Sequence, residues 1–166
     1  KVILPDSLKS VGALSFSKTS IKKITIPKSV KKIGQGCFDF CSKLKYITMP
    51  GSFQCKKWDD GEALLMMYRT NVKTIIFNTN LKLKVLPHLN SYNLVTKKGD
   101  KRYKSFDGIV YSKKGKDLVR VPTNRKTLKV KRGCKTFCLS AIAYYMLMGG
   151  DPVGGCTKLK SIELPD

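Results

Sequence analysis

The chain has 166 residues, 42% of them hydrophobic, and a formal net charge of +22 from 33 lysines and arginines against 11 acids. That length supports one continuous core, and no apolar run reaches the roughly 20 residues of a membrane-spanning helix; the longest, Ala141 to Met148, falls well short. Dispersed acids, and a single histidine, His88, with no nucleophile or ligand cluster beside it, argue against catalysis and against a metal centre.

Taken in order, the first regular feature is Ile3-Leu4-Pro5, followed by Leu8, Val11, Gly12, Phe16 and Ile21. Ile24-Thr25-Ile26-Pro27 opens a second copy that continues through Val30, Ile33-Gly34, Cys37, Phe38, Cys41 and Leu44, and Ile47-Thr48-Met49-Pro50 opens a third. Pro5 and Pro27 stand 22 residues apart, and Pro27 and Pro50 stand 23 apart. Each unit reads as a short strand ended by proline, a bend at the glycine, and a helical turn carrying Cys37, Phe38, Cys41 and Leu44. Such a unit is too small to bury its own apolar face, so copies must stack into a solenoid with one shared core.

Within each strand the alternation turns Thr25 and Thr48 outward, flanked by Lys23 and Tyr46. The equivalent positions downstream are Thr74, Ile76, Ser161 and Glu163, and this outward column is the predicted partner-binding face.

The next unit is stretched, because Pro50 and the matching Asn78 are 28 residues apart. Asp59-Asp60 followed by good helix formers to Arg69 predicts a longer helix, with Trp58, Met66 and Met67 filling the space beneath it or meeting a partner. Val72 to Phe77 restores a strand, Leu81, Leu83, Val85 and Leu86 alternate like another, and Asn90 to Lys104 is polar and basic. Phe106 to Pro122 reads as a β-hairpin around a Lys-Gly-containing turn.

A fourth copy begins at Leu128-Lys129-Val130, with Lys131 in the proline place and Ala141 and Ile142 in core positions. The segment from Ala143 to Gly155 swells that unit and predicts a short helix ending at Gly149-Gly150; two alignments of it onto the repeat are equally good. Its glycines lack the following lysine-serine or lysine-threonine of a phosphate loop. Cys156 to Pro165 then matches Cys41 to Pro50 position for position.

This pattern, strand-Pro, Ser-Val, Ile-Gly, a small residue and Phe, then Cys and Leu, resembles the BspA-like leucine-rich repeats of bacterial and protist surface proteins, over residues 2–53 and again over 106–166. The hairpin is similar to the two-stranded insertion these proteins often carry. The expected fold is therefore an α/β leucine-rich repeat solenoid of stacked short parallel strands with helical turns plus an inserted β-hairpin. It forms a single domain over 1–166, with regular repeats at 2–53, an irregular stretch at 54–105, the hairpin at 106–122 and repeats at 123–166. Ends that fall in mid-repeat predict a longer array. The resemblance implies a surface or secreted protein that binds a protein or matrix ligand, with no cofactor.

The cysteines are expected in the interior as small apolar groups at Cys37, Cys41, Cys134 and Cys156, in preference to a zinc site, with a disulfide as the minor alternative. The charge raises a second function: a polyanion binder for acidic glycan or nucleic acid. Its predicted basic edge comprises Lys97, Lys98, Lys101, Arg102 and Lys104, then Lys113, Lys114 and Lys116, and finally Arg120, Arg125, Lys126, Lys129, Lys131 and Arg132. A structural spacer inside a larger protein is the third reading.

Overall fold

The computed structural model describes residues 2–56, 67–82, 89, 91–137, 156 and 158–165. Its residues group into two compact units, Lys1–Leu89 and Asn90–Asp166. The helix expected over 59–69, apart from its last three residues, lies outside the described residues, as do Trp58, Met66, Leu83 to His88, Cys138 and the insertion at 141–155.

The first unit is built from two parallel ladders. Strands β1 (Ser10–Val11), β3 (Lys32–Gly34) and β5 (Gln54–Lys56) form one, with Val11, Ile33 and Cys55 in register. Strands β2 (Lys23–Thr25), β4 (Tyr46–Met49) and β6 (Thr74–Phe77) form the other, with Ile24, Ile47 and Ile75 in register. Those six aligned side chains are buried, and between the ladders in sequence lie Ile26, Val30, Cys37, Phe38, Cys41 and Leu44, all with no exposed surface. Phe38 stacks on Phe16 of the preceding coil, ring centroids 5.8 Å apart.

The prolines mark a repeated turn. Pro27 cannot donate to the ladder, but its carbonyl accepts from Val30 N at 3.1 Å, and Pro5 does the same for Leu8 at 3.0 Å. Ser29 Oγ then donates to Leu8 O in the coil before, at 2.6 Å, tying neighbouring turns together.

The helical turn expected over Cys37 to Leu44 is replaced by a succession of tight turns, and among the described residues there is no α-helix. The reason is where the backbone carbonyls point. Gln35 O, Cys37 O and Asp39 O accept from Leu14, Phe16 and Lys18 of the preceding coil at 2.8 to 3.2 Å, so none is available to an amide four residues ahead. The amides of Asp39, Cys41 and Leu44 reach back only three residues. Side chains spaced three and four apart thus share the interior without a helix. The Ile33-Gly34 bend also proves to be a strand, β3.

The second unit carries the predicted hairpin, β9 (Ile109–Ser112) and β10 (Asp117–Arg120), antiparallel around Gly115, whose φ is +74°. A third antiparallel strand, β8 (Tyr103–Phe106), pairs with β9 from within the stretch read as irregular. Its link to β9 is the two-residue loop Asp107-Gly108, both at positive φ, a combination that matches the twist of the strands it joins. Strand β7 (Asn93–Val95) precedes it, Thr96 and Ser105 exchange reciprocal bonds, and β12 (Thr136–Phe137) joins β10 in parallel. Strands β11 (Thr127–Lys129) and β13 (Ser161–Glu163) form a separate parallel pair.

The core of this unit is Ile109, Tyr111, Leu118, Val121, Leu128 and Val130, with Cys134, Cys156 and Leu159 packed against it. The match of Cys156–Pro165 to Cys41–Pro50 holds in the backbone, since Leu159 N bonds Cys156 O as Leu44 N bonds Cys41 O. It does not hold in burial: Ile162 is 46% and Leu164 68% exposed, whereas Ile47 and Met49 are fully buried.

The five described cysteines, Cys37, Cys41, Cys55, Cys134 and Cys156, carry free thiols. Burial pushes the Cys37 thiol far up and that of Cys55 from 9.0 to about 11. A raised thiol pKa favours folding fully below the unfolded value near 9.0, and this contribution is lost as pH climbs through the folded value of about 11. In a native-state labelling experiment at pH 8 with peptide mapping, Cys134 and Cys156 are expected to react, with Cys37, Cys41 and Cys55 modified only after denaturant is added. Prompt labelling of Cys37 in the native protein would contradict this packing.

Candidate functional site

The outward column predicted from the alternation forms as two aligned rows in the first unit. Lys23, Tyr46 and Thr74 stand side by side, and Thr25, Thr48 and Ile76 stand beside them on the same face. Ile24, Ile47 and Ile75 point the other way and are buried. Lys23, Thr25 and Tyr46 are exposed and the other three half-buried, so the strip offers a ring, an ammonium group, hydroxyls and one aliphatic chain on rigid ladder positions. Ser161 and Glu163 belong to the second unit, where both are exposed and opposite Thr127 and Lys129; Lys129 Nζ lies 3.6 Å from Glu163.

A neighbouring cluster carries no repeat-core signal and the sequence reading missed it. Lys18, Phe40 and Arg69 occupy equivalent corners of successive coils, because Lys18 N bonds Asp39 O and Phe40 N bonds Tyr68 O. All three have φ between 52° and 60°, a conformation that favours glycine. Phe40 meets Tyr68 edge to face at 5.4 Å, while Lys18 and Arg69 lie 6.0 and 5.8 Å from the Phe40 ring. Both rings are exposed, 39% and 52%. The 22-residue spacing of Lys18 and Phe40 is the signal that finds them.

The predicted basic edge separates into two kinds of residue. Arg120 is buried; its guanidinium donates to Tyr92 O at 3.2 Å, and burial lowers its pKa to about 10. Arg125 pairs with Asp107 at 2.7 Å and also donates to the Asp107 carbonyl and to Asn93 Oδ1. Both are structural cations and are not on an open face. Lys98, Lys101, Arg102, Lys113, Lys114, Lys116, Lys126, Lys129 and Arg132 are exposed, and Lys97, Lys104 and Lys131 half-buried. Lys97, Lys98, Lys104 and Lys113 line one open groove.

The described acids of this unit are already engaged. Asp100 is buried, its Oδ1 accepting from the amides of Arg102 and Tyr103 at 2.9 and 3.1 Å. Asp117 accepts from the Thr136 hydroxyl, which holds its carboxyl below the usual range. Asp107 and Glu163 have the partners given above, so all four described acids of the unit are committed within it. Among the described residues no three His, Cys, Asp or Glu side chains gather into a metal site, and no helix is long and apolar enough to cross a membrane.

Residues 1–84 match the family model for a BspA type leucine rich repeat region of six copies. The chain belongs to this family. The match runs past the regular coils to include β6, whose register on β4 shows that the stretched unit keeps the repeat. BspA-type repeats are of the leucine-rich class, generally protein-interaction modules without catalytic chemistry. No curated protein matches the chain. Among solved structures, the chain is similar to the pneumococcal vaccine antigen PcpA, at 18% identity and a TM-score of 0.40, covering 95% of this chain and 43% of that one. It is likewise similar to a leucine-rich repeat protein from Eubacterium ventriosum ATCC 27560, at 18% identity and a TM-score of 0.42, covering 94% and 45%. The chain spans less than half the length of either.

Proposed function

We propose that this BspA-type repeat is a non-catalytic adhesion module, at the cell surface or secreted, that holds a protein or matrix ligand against the outward face of β2, β4 and β6. The observation that carries this reading is the alignment of Lys23, Tyr46 and Thr74 beside Thr25, Thr48 and Ile76 on three hydrogen-bonded strands. Backbone held in a ladder needs no further ordering on binding, and an exposed tyrosine among hydroxyls suits a protein partner. The test is retention of the chain on immobilised extracellular-matrix proteins. Thr25→Ala with Tyr46→Ala is expected to weaken retention at least tenfold, and Lys43→Ala, exposed but off this face, to change it less than twofold. Equal effects from both would remove the face from consideration.

One observation favours a second reading, binding of a polyanion by the second unit. Its described acids are all engaged internally, and its exposed lysines outnumber them. Such a surface gains from releasing the counterions of an acidic chain.

A further inference from the structure

Two half-buried lysines of the second unit converge on one point. Lys104 lies opposite Tyr111 in the β8–β9 pairing, and Tyr111 lies opposite Leu118 in β9–β10, so the Lys104 stem leaves the sheet on the face that carries the buried Tyr111 and Leu118. An ammonium group on that face must run along the apolar surface to its rim. Lys131 is fixed at the same rim by its amide, which donates to the Tyr111 hydroxyl at 3.1 Å. Beneath both lies Gly115 in the β9–β10 turn, itself buried. A Cβ on Gly115 would stand 2.5 Å from Lys104 Cε, 2.6 Å from Lys104 Nζ and 3.8 Å from Lys131 Nζ, so the end of Lys104 lies directly on Gly115 and the Lys131 ammonium group reaches the same point.

Like charges brought together repel, and half-burial sharpens the repulsion. The ion pairs of Arg125 with Asp107 and of Lys129 with Glu163 do not involve either lysine. Among the described residues Lys131 Nζ donates to the Arg132 carbonyl, at 3.3 Å, and to no carboxylate. Lys113 lines one groove with Lys104 and donates its ammonium group to the Asp100 carbonyl at 2.6 Å, while the buried Asp100 carboxylate is held by the Arg102 and Tyr103 amides. Among the described residues no carboxylate pairs with either ammonium group, and an anion brought by a partner would supply the counter-charge.

We infer that Lys104 and Lys131, converging over Gly115, form a binding site for one tetrahedral oxyanion, a sulfate or phosphate monoester carried by the partner. The inference rests on the polyanion reading and sharpens it from a diffuse surface to a point of attachment. Lysine suits this geometry because two mobile point charges can close on one anion from different strands, where a planar arginine fork would need a single approach.

The experiment uses the 166-residue chain with two probes, an O-sulfated heparin hexasaccharide and glucose 6-phosphate, followed by amide shifts of Gly115 and Lys131 and by calorimetry. Saturable shifts at both amides are expected. Lys104→Met with Lys131→Met keeps the stems and removes both charges; it should weaken binding at least tenfold. Lys28→Met with Lys31→Met removes the same charge from exposed positions of the first unit and should weaken it less than twofold. Lys131→Met alone, which leaves the Lys104 packing untouched, should give an intermediate loss. Tighter binding of the hexasaccharide assigns the monoester as sulfate, and tighter binding of the sugar phosphate as phosphate; either supports the site. Hexasaccharide binding with equal losses from the two double variants overturns the site and leaves the polyanion reading standing. Absence of saturable binding by either probe overturns both.

Discussion

Replacing Gly34 by alanine is expected to cost the first unit about 3 kcal/mol or more, enough to unfold a marginal repeat array. A Cβ on Gly34 would come within 2.5 Å of both Ala13 Cα and Gly12 C, and closer still to the Ala13 amide nitrogen. These are backbone atoms of the preceding coil, held by the pairing of Ser10 with Lys32 and Val11 with Ile33, and they cannot swing aside as a side chain would. Room for the new methyl would require opening the β1–β3 ladder. Gly99 supplies the control. Its φ is +75°, but nothing lies within 4 Å of a Cβ there, so alanine at 99 should cost only about 1 kcal/mol of backbone strain. Urea unfolding followed by circular dichroism separates the two. Comparable midpoints for both variants would mean that the coils are not in the contact described.

The second large effect is at Ile47, where truncation to alanine should destabilise by about 2–5 kcal/mol. Ile47 sits between Ile24 and Ile75 on the buried face of a three-stranded ladder, with no exposed surface of its own. The loss combines transfer of the missing carbons to water with a cavity that rigid neighbours on both sides cannot collapse. Ile162 holds the same place in the repeat but is 46% exposed. Its strand pairs with β11 on one side and, among the described residues, with no strand on the other. Ile162→Ala should therefore cost less than about 1 kcal/mol. Thermal unfolding of the two variants is the measurement, and equal losses would show that Ile162 is covered.

The contrast between these two isoleucines marks the boundary between sequence and structure. Periodicity by itself determined the repeat, the proline-ended strands and the burial of Ile24, Ile26, Ile47 and Met49, because short strands have no other way to hide an apolar face that recurs every two dozen residues. The resemblance carried by the same residues named the family. It determined the β9–β10 hairpin too, since alternation around a glycine turn is a local property. Even β8 was locally encoded: Asp107-Gly108 is a strong two-residue turn signal ahead of Ile109, overlooked beside the basic residues before it.

Other features were decided by neighbouring coils. Residues 37 to 44 have a helix-like spacing of apolar groups, but the carbonyls of Gln35, Cys37 and Asp39 bond across to Leu14, Phe16 and Lys18, and an interstrand partner one coil away leaves no mark on the spacing. Arg120 and Arg125 read as two more surface charges until the packing against Tyr92, Asn93 and Asp107 enclosed them. The meeting of Lys104 with Lys131 depends on the register of β8 against β9 and on a hydroxyl 20 residues from the amide it receives. Composition supplies the number of charges, but only the three-dimensional arrangement settles which of them face one another, because electrostatic energy depends on separation in space and not along the chain.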